Sequence, residues 1–226
     1  GFMGAMVQSN SISEACRTAF GIPGWVVGLL LCAVAFFIFV GGVSRIASVT
    51  EKIVPIMAVL YIVGGLVVLC IRIKYIPETF GMIFRYAFTP TAVIGGSIGY
   101  ALKTAISQGV KRGLFSNEAG MGSTPHAHAL AKVKDPHEQG VVAMAGVFVD
   151  TFVVLTMTAL VVISTLFTEG GPLHGQMLTA ETLAAAGVSK TNAAQMAFGT
   201  AFGNATFGNI FVAVCLLFFA FSTIVG

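Results

Sequence analysis

Long stretches of this 226-residue chain carry no charge, and that feature most limits what it can fold into. No Asp, Glu, Lys or Arg lies between Arg17 and Arg45 or between Lys52 and Arg72, and none follows Lys190. From Gln139 to Thr168 the only such residue is Asp150. About 20 consecutive apolar residues cross the hydrocarbon core of a bilayer as a helix, and in lipid a helix satisfies its own backbone polar groups. The expected spans are Ile22–Val43, opened by Pro23 in a first turn, Ile53–Ile71 with Pro55 in its first turn, Gln139–Thr168, and Ile210–Val225. Charged residues make up 9% of the chain and hydrophobic residues 56%, with a mean hydropathy of +0.92. A soluble domain carries about 25% charge. The expected class is an all-α polytopic membrane protein.

The chain opens on Gly1-Phe2-Met3-Gly4-Ala5-Met6 and closes on Ile224-Val225-Gly226. Neither an initiator Met nor the layout of a signal peptide is present, so both ends read as cut and the chain as a fragment. Cys16, Cys32, Cys70 and Cys215 stand singly, without metal-ligand spacing, and read as buried free thiols. The net charge of +3 is small and scattered, which leaves no nucleic-acid footprint and fits an anionic lipid surface. Arg45 and Lys52 flank one side, and Arg72, Lys74 and Arg85 the other, so charge does not decide the orientation.

Between the second and third spans the pattern changes. Gly95, Gly96, Gly99, Gly109, Gly113, Gly120 and Gly122 interrupt a segment whose Lys103, Ser107 and Lys111 recur every fourth residue. On a helix these make one polar stripe, suited to protein or a water-filled cavity rather than lipid. Ala92–Ala131 therefore reads as one discontinuous spanning helix, with an interfacial helix and loop as the alternative. Between Thr168 and Ala205, Glu181–Ala186 is expected to form a short surface helix, as a lid or a cap.

The stretch richest in chemistry is Gly113-Leu114-Phe115-Ser116-Asn117-Glu118-Ala119-Gly120-Met121-Gly122-Ser123-Thr124-Pro125. Ser116 and Asn117 bring a hydroxyl and an amide, Glu118 a carboxylate, and the glycines let backbone leave helical geometry. Half-helix amino ends favour a carboxylate and carboxyl ends an ammonium or Na⁺, which together suit a zwitterionic amino acid. Phe115 would close such a pocket over a small side chain. The competing reading is a helix cap at Ser116 and Asn117 with Glu118 in the first turn. Ser222 and Thr223 are adjacent hydroxyls in an apolar helix, and either supply the oxygens a hard monovalent cation prefers or bond back to their own helix. Asp150 either holds unwound backbone amides or couples a proton. His126 and His128, two residues apart, point to different faces of a helix and do not suit a metal.

Several of these segments, in order, resemble the alanine or glycine:cation (sodium) symporter family. They are FSNEAGMGSTPHAHA from Phe115, VQSNS at Val7–Ser11, FRYAFTP at Phe84–Pro90 and GVFVDTF at Gly146–Phe152. The resemblance implies an amino acid/polyamine/cation-type fold: a leucine-transporter-type inverted repeat with broken helices. Residues 1–91 would then be the end of the first repeat and 92–226 the start of the second, the other broken helix lying ahead of residue 1. It further implies that Phe115, Ser116, Asn117, Gly120 and Gly122 bind substrate, with Gln8 of the Gln8-Ser9-Asn10-Ser11 motif nearby. For Gln8 an interhelical hydrogen bond is the alternative. Na⁺ would be held by Ser222, Thr223 and the Phe219 carbonyl.

The function so implied is secondary active transport. Na⁺ would drive symport of a small neutral amino acid, alanine or glycine, by alternating access in a multi-pass protein of the plasma membrane. No organic cofactor is expected, and Na⁺ is the coupling ion. Proton coupling is the alternative. A channel would need a polar stripe on several helices, and only one carries it. An enzyme would need a nucleophile, base and orienting group at readable spacing, and none is found.

Overall fold

The computed structural model describes residues 2–88, 98–117, 120, 128–129, 131–176, 180–189 and 192–225. Among the described residues all regular structure is helical. The helices are α1 (Phe2–Phe20), α2 (Gly24–Val40), α3 (Gly42–Ile71), α4 (Ile76–Phe88) and α5 (Ile98–Ser116). They are followed by α6 (Pro136–Leu166), α7 (Ala180–Ala185), α8 (Ala193–Ala201) and α9 (Ala205–Val225). Three of them, α3, α6 and α9, are long and apolar enough to cross a membrane.

The observed boundaries differ instructively from those expected. Helix α2 has 17 residues, and Pro23 precedes it in an extended conformation rather than occupying its first turn. At 1.5 Å per residue α2 is about 25 Å long, short of a hydrocarbon core of about 30 Å. The chain breaks at Gly42, whose φ of +71° is costly for any residue with a Cβ. Helix α3 then starts well before Ile53 and carries Pro55 in its interior. A proline there removes one backbone donor, and the other turns of this 30-residue helix hold it together. Helix α6 begins at Pro136, ahead of the expected Gln139, because Asp135 caps it by accepting the His137 N–H at 2.9 Å. The short helix expected at Glu181–Ala186 is α7.

The described chain forms two compact units, Pro77–Thr156 and Phe2–Ile76 with Met157–Gly226. These are spatial groupings; the repeat boundary expected at residues 91 and 92 concerns chain order. In the larger unit α9 packs on α1, α3 and α8, while α2 packs on α1 and α3. Ile12, Cys16, Val27, Ala35, Ile38, Ala220, Phe221 and Val225 form one core. Close approach depends on small residues, as is usual between helices in lipid. A Cβ added at Gly208 would lie 2.2 Å from the backbone N of Gly199, so α8 and α9 touch main chain to main chain.

Polar ties help hold this unit. The Arg72 guanidinium donates to the carbonyls of Ser164 (2.9 Å) and Glu169 (3.0 Å) and to the Thr168 hydroxyl (3.0 Å). It thereby satisfies acceptors that the end of α6 leaves open. Gln195, 1% exposed, donates to the Ala15 and Asn209 carbonyls, joining α8 to α1 and α9. Of the four thiols expected to be buried, Cys16 and Cys215 are, whereas Cys32 and Cys70 are exposed. A lipid-facing helix face needs no polar cover, so a small, soft side chain sits on it at no penalty.

Candidate functional site

Helix α5 ends where its sequence becomes polar. Phe115 and Ser116 lie in its last turn, and the Asn117 N–H still reaches the Gly113 carbonyl at 3.1 Å. The next described residue, Gly120, has a φ of +79°, outside helical geometry. Helical geometry is therefore lost by Gly120, with Phe115 and Ser116 still helical. Gly122, Glu118 and His126 lie outside the described residues. Phe115 is exposed.

Two side chains at this end are tied to α6. The Ser116 hydroxyl donates to Asp150 Oδ2 at 3.0 Å. The Thr151 hydroxyl donates to Asn117 Oδ1 at 3.2 Å, while Asn117 Nδ2 donates to the Gly113 carbonyl at 3.1 Å. Asp150 and Thr151 belong to a π-helical stretch, Val149–Leu155. Such widened turns within α-helices occur frequently at functional sites. Among the described residues the partner of Asp150 is thus a side-chain hydroxyl. The arrangement offers a carboxylate, two hydroxyls and an amide side by side, a set able to bind both ends of a zwitterion.

The residues expected to hold a cation lie together in the larger unit. Ser222 and Thr223 both donate to the Phe219 carbonyl, at 2.8 and 3.1 Å, so three oxygens converge in one turn of α9. The hydroxyls here bond back to their own helix, one of the two readings the residues allowed. Met57 of α3 lies beside them, its sulfur 3.7 Å from Ser222 Oγ. Gln8 sits partly buried on α1, which packs against α9. Gln8, Phe219, Ser222 and Thr223 belong to one unit, and Phe115, Ser116, Asn117 and Gly120 to the other. His128 is engaged by Gln139, whose amide N–H donates to the ring Nδ1. Sequence reasoning missed Thr151 and Arg72 as structural partners. Only the neighbouring Asp150, alone among apolar residues, could have pointed to Thr151.

The profile of the sodium:alanine symporter family matches residues 1–226. The chain is 39% identical over 224 residues to the sodium/alanine symporter AgcS of Methanococcus maripaludis, covering 99% of this chain and 45% of that protein. It is 40% identical over 220 residues to the sodium/proton-dependent alanine carrier protein of Bacillus sp. strain PS3, covering 96% and 47%. An uncharacterized transporter of Haemophilus influenzae is 41% identical over 226 residues, covering 100% and 44%. The chain thus spans under half the length of these relatives. With this match along its whole length and three helices long and apolar enough to cross a membrane, the chain belongs to the sodium:alanine symporter family, a family of transporters rather than enzymes.

Proposed function

We propose that the protein carrying this chain is a secondary active transporter. It couples Na⁺ entry to uptake of a small neutral amino acid, alanine or glycine, by alternating access in the plasma membrane. The observation that carries this reading is the polar cluster at the end of α5, where Ser116, Asn117, Asp150 and Thr151 meet. Phe115 beside them would cover a methyl-sized side chain, which favours alanine and glycine over larger amino acids. Gln8, Gly120 and Gly122 complete the proposed substrate residues.

For Na⁺ the proposed ligands are the Phe219 carbonyl and the Ser222 and Thr223 hydroxyls. Binding would turn both hydroxyl protons away from the carbonyl and toward the surrounding helix, leaving oxygen lone pairs for the ion. Proton coupling is a second reading, favoured by the one carboxylate between Gln139 and Thr168, Asp150.

The test is binding of L-alanine to the intact purified protein across a range of Na⁺ concentrations. Affinity for alanine rises with Na⁺, and by linkage alanine tightens Na⁺ by the same factor. Asn117→Ala weakens alanine binding about five- to a hundredfold, because it deletes two donors and an acceptor without adding charge. Alanine binding that ignores Na⁺ overturns the coupling, and an unchanged affinity in Asn117→Ala removes that residue from the site.

A further inference from the structure

The two polar side chains at the end of α5 are held from behind. Asp150 and Thr151 are consecutive, and in a regular α-helix neighbouring side chains point about 100° apart. Both nevertheless reach α5, one to Ser116 and the other to Asn117, from the π-helical stretch Val149–Leu155.

Each tie determines what its partner can offer. A serine hydroxyl has one proton and two lone pairs. With the proton given to Asp150 Oδ2, Ser116 Oγ can only accept from anything else. The carboxylate one hydrogen bond away makes that oxygen a better partner for a cation. Asn117 has its amide oxygen engaged by Thr151 and one N–H given to the Gly113 carbonyl. Flipping the amide would set oxygen against that carbonyl oxygen, so its orientation is fixed and the second N–H remains to donate. Side by side stand an acceptor backed by negative charge and a neutral donor. These match the α-ammonium and α-carboxylate of an amino acid.

We propose that Asp150 and Thr151 are positioning residues of the amino-acid site. Asp150 makes the Ser116 hydroxyl an acceptor for the substrate's α-ammonium group, and Thr151 fixes the Asn117 amide with an N–H toward its α-carboxylate. This rests on the reading of Ser116 and Asn117 as substrate groups. A purely structural tie to a hydroxyl would not need a carboxylate, which is costly in an apolar helix.

The experiment measures L-alanine uptake by the intact protein in proteoliposomes, with inhibition by propionate, which keeps the carboxylate and lacks the ammonium. Asp150→Asn preserves an acceptor for Ser116 and removes the charge. It raises the alanine KM at least about tenfold and shrinks the preference for alanine over propionate, a change that loss of packing alone would not produce. In a Ser116→Ala background the same substitution adds no further loss, because Asp150 acts through Ser116. Thr151→Val raises KM and Thr151→Ser restores it. If Ser116→Ala raises KM while Asp150→Asn leaves KM and the propionate preference unchanged, the positioning role is wrong and the substrate site stands. If Ser116→Ala and Asn117→Ala are both neutral, the substrate site fails and this proposal with it. Should Asp150→Asn not insert, the Thr151 pair decides, and an unchanged KM in Thr151→Val overturns the proposal.

Discussion

Thr223 illustrates how much one oxygen can carry. Its hydroxyl bonds the Phe219 carbonyl at 3.1 Å, and Val keeps the shape while losing that oxygen. Were the hydroxyl only bonding its own helix, Thr223→Val would leave the Na⁺ dependence of uptake where it was. If it is a ligand, the Na⁺ concentration for half-maximal uptake rises about five- to a hundredfold, from a loss of about 1 to 3 kcal/mol. Amino-acid affinity at saturating Na⁺ changes far less. Individual residues were readable in the sequence where chemistry stood out against its background, as with Asp150 and the Ser116-Asn117 pair among glycines. Thr151 was not, since a hydroxyl in an apolar helix usually bonds its own backbone. Its partner lies 34 residues away, and only the π-helical widening aims it there.

Between elements, α8 and α9 meet main chain to main chain. Gly208→Ala sets a methyl 2.2 Å from the Gly199 backbone N, and main chain cannot step aside as a flexible side chain would. The two helices must separate, which lowers stability by about 1 to 3 kcal/mol and the melting temperature of the purified protein with it. Gly28→Ala in α2 is the control. A Cβ there meets nothing within 4 Å, and the gain in helix propensity makes this substitution neutral or stabilising. An equal drop in melting temperature for both variants would contradict the packing. The existence of α2, α3, α6 and α9 was evident from charge-free runs, but helix ends were not, and α1, α4 and α8 were not read as helices. A charge marks where lipid ends rather than where a helix ends, so α3 continues through Lys52, Glu51 and Arg45 back to Gly42. Pro55 read as a first turn for the same reason, and lies in the interior because both flanks are helical.

At the scale of the molecule, outward faces are apolar along most of their length. Trp25, Phe36 and Phe37 on α2, Ile56, Val59 and Val63 on α3, and Met144, Phe148 and Phe152 on α6 are exposed. In water such surface would drive association, whereas lipid covers it without cost. The class of protein was therefore set by composition and the family by ordered motifs. The pairing of α5 with α6 needed three-dimensional placement, because no local rule links residues 116 and 150. The proposed function requires a Na⁺ gradient to drive amino-acid entry. The measurement that tests it most directly is L-alanine accumulation in proteoliposomes holding the intact protein, with Na⁺ or proton gradients imposed separately. Alanine accumulates against its gradient when Na⁺ is higher outside. An inside-negative potential strengthens accumulation, each entering charge contributing about 2.3 kcal/mol per 100 mV. Accumulation under a proton gradient with no Na⁺ present, or none under a Na⁺ gradient, would contradict the account.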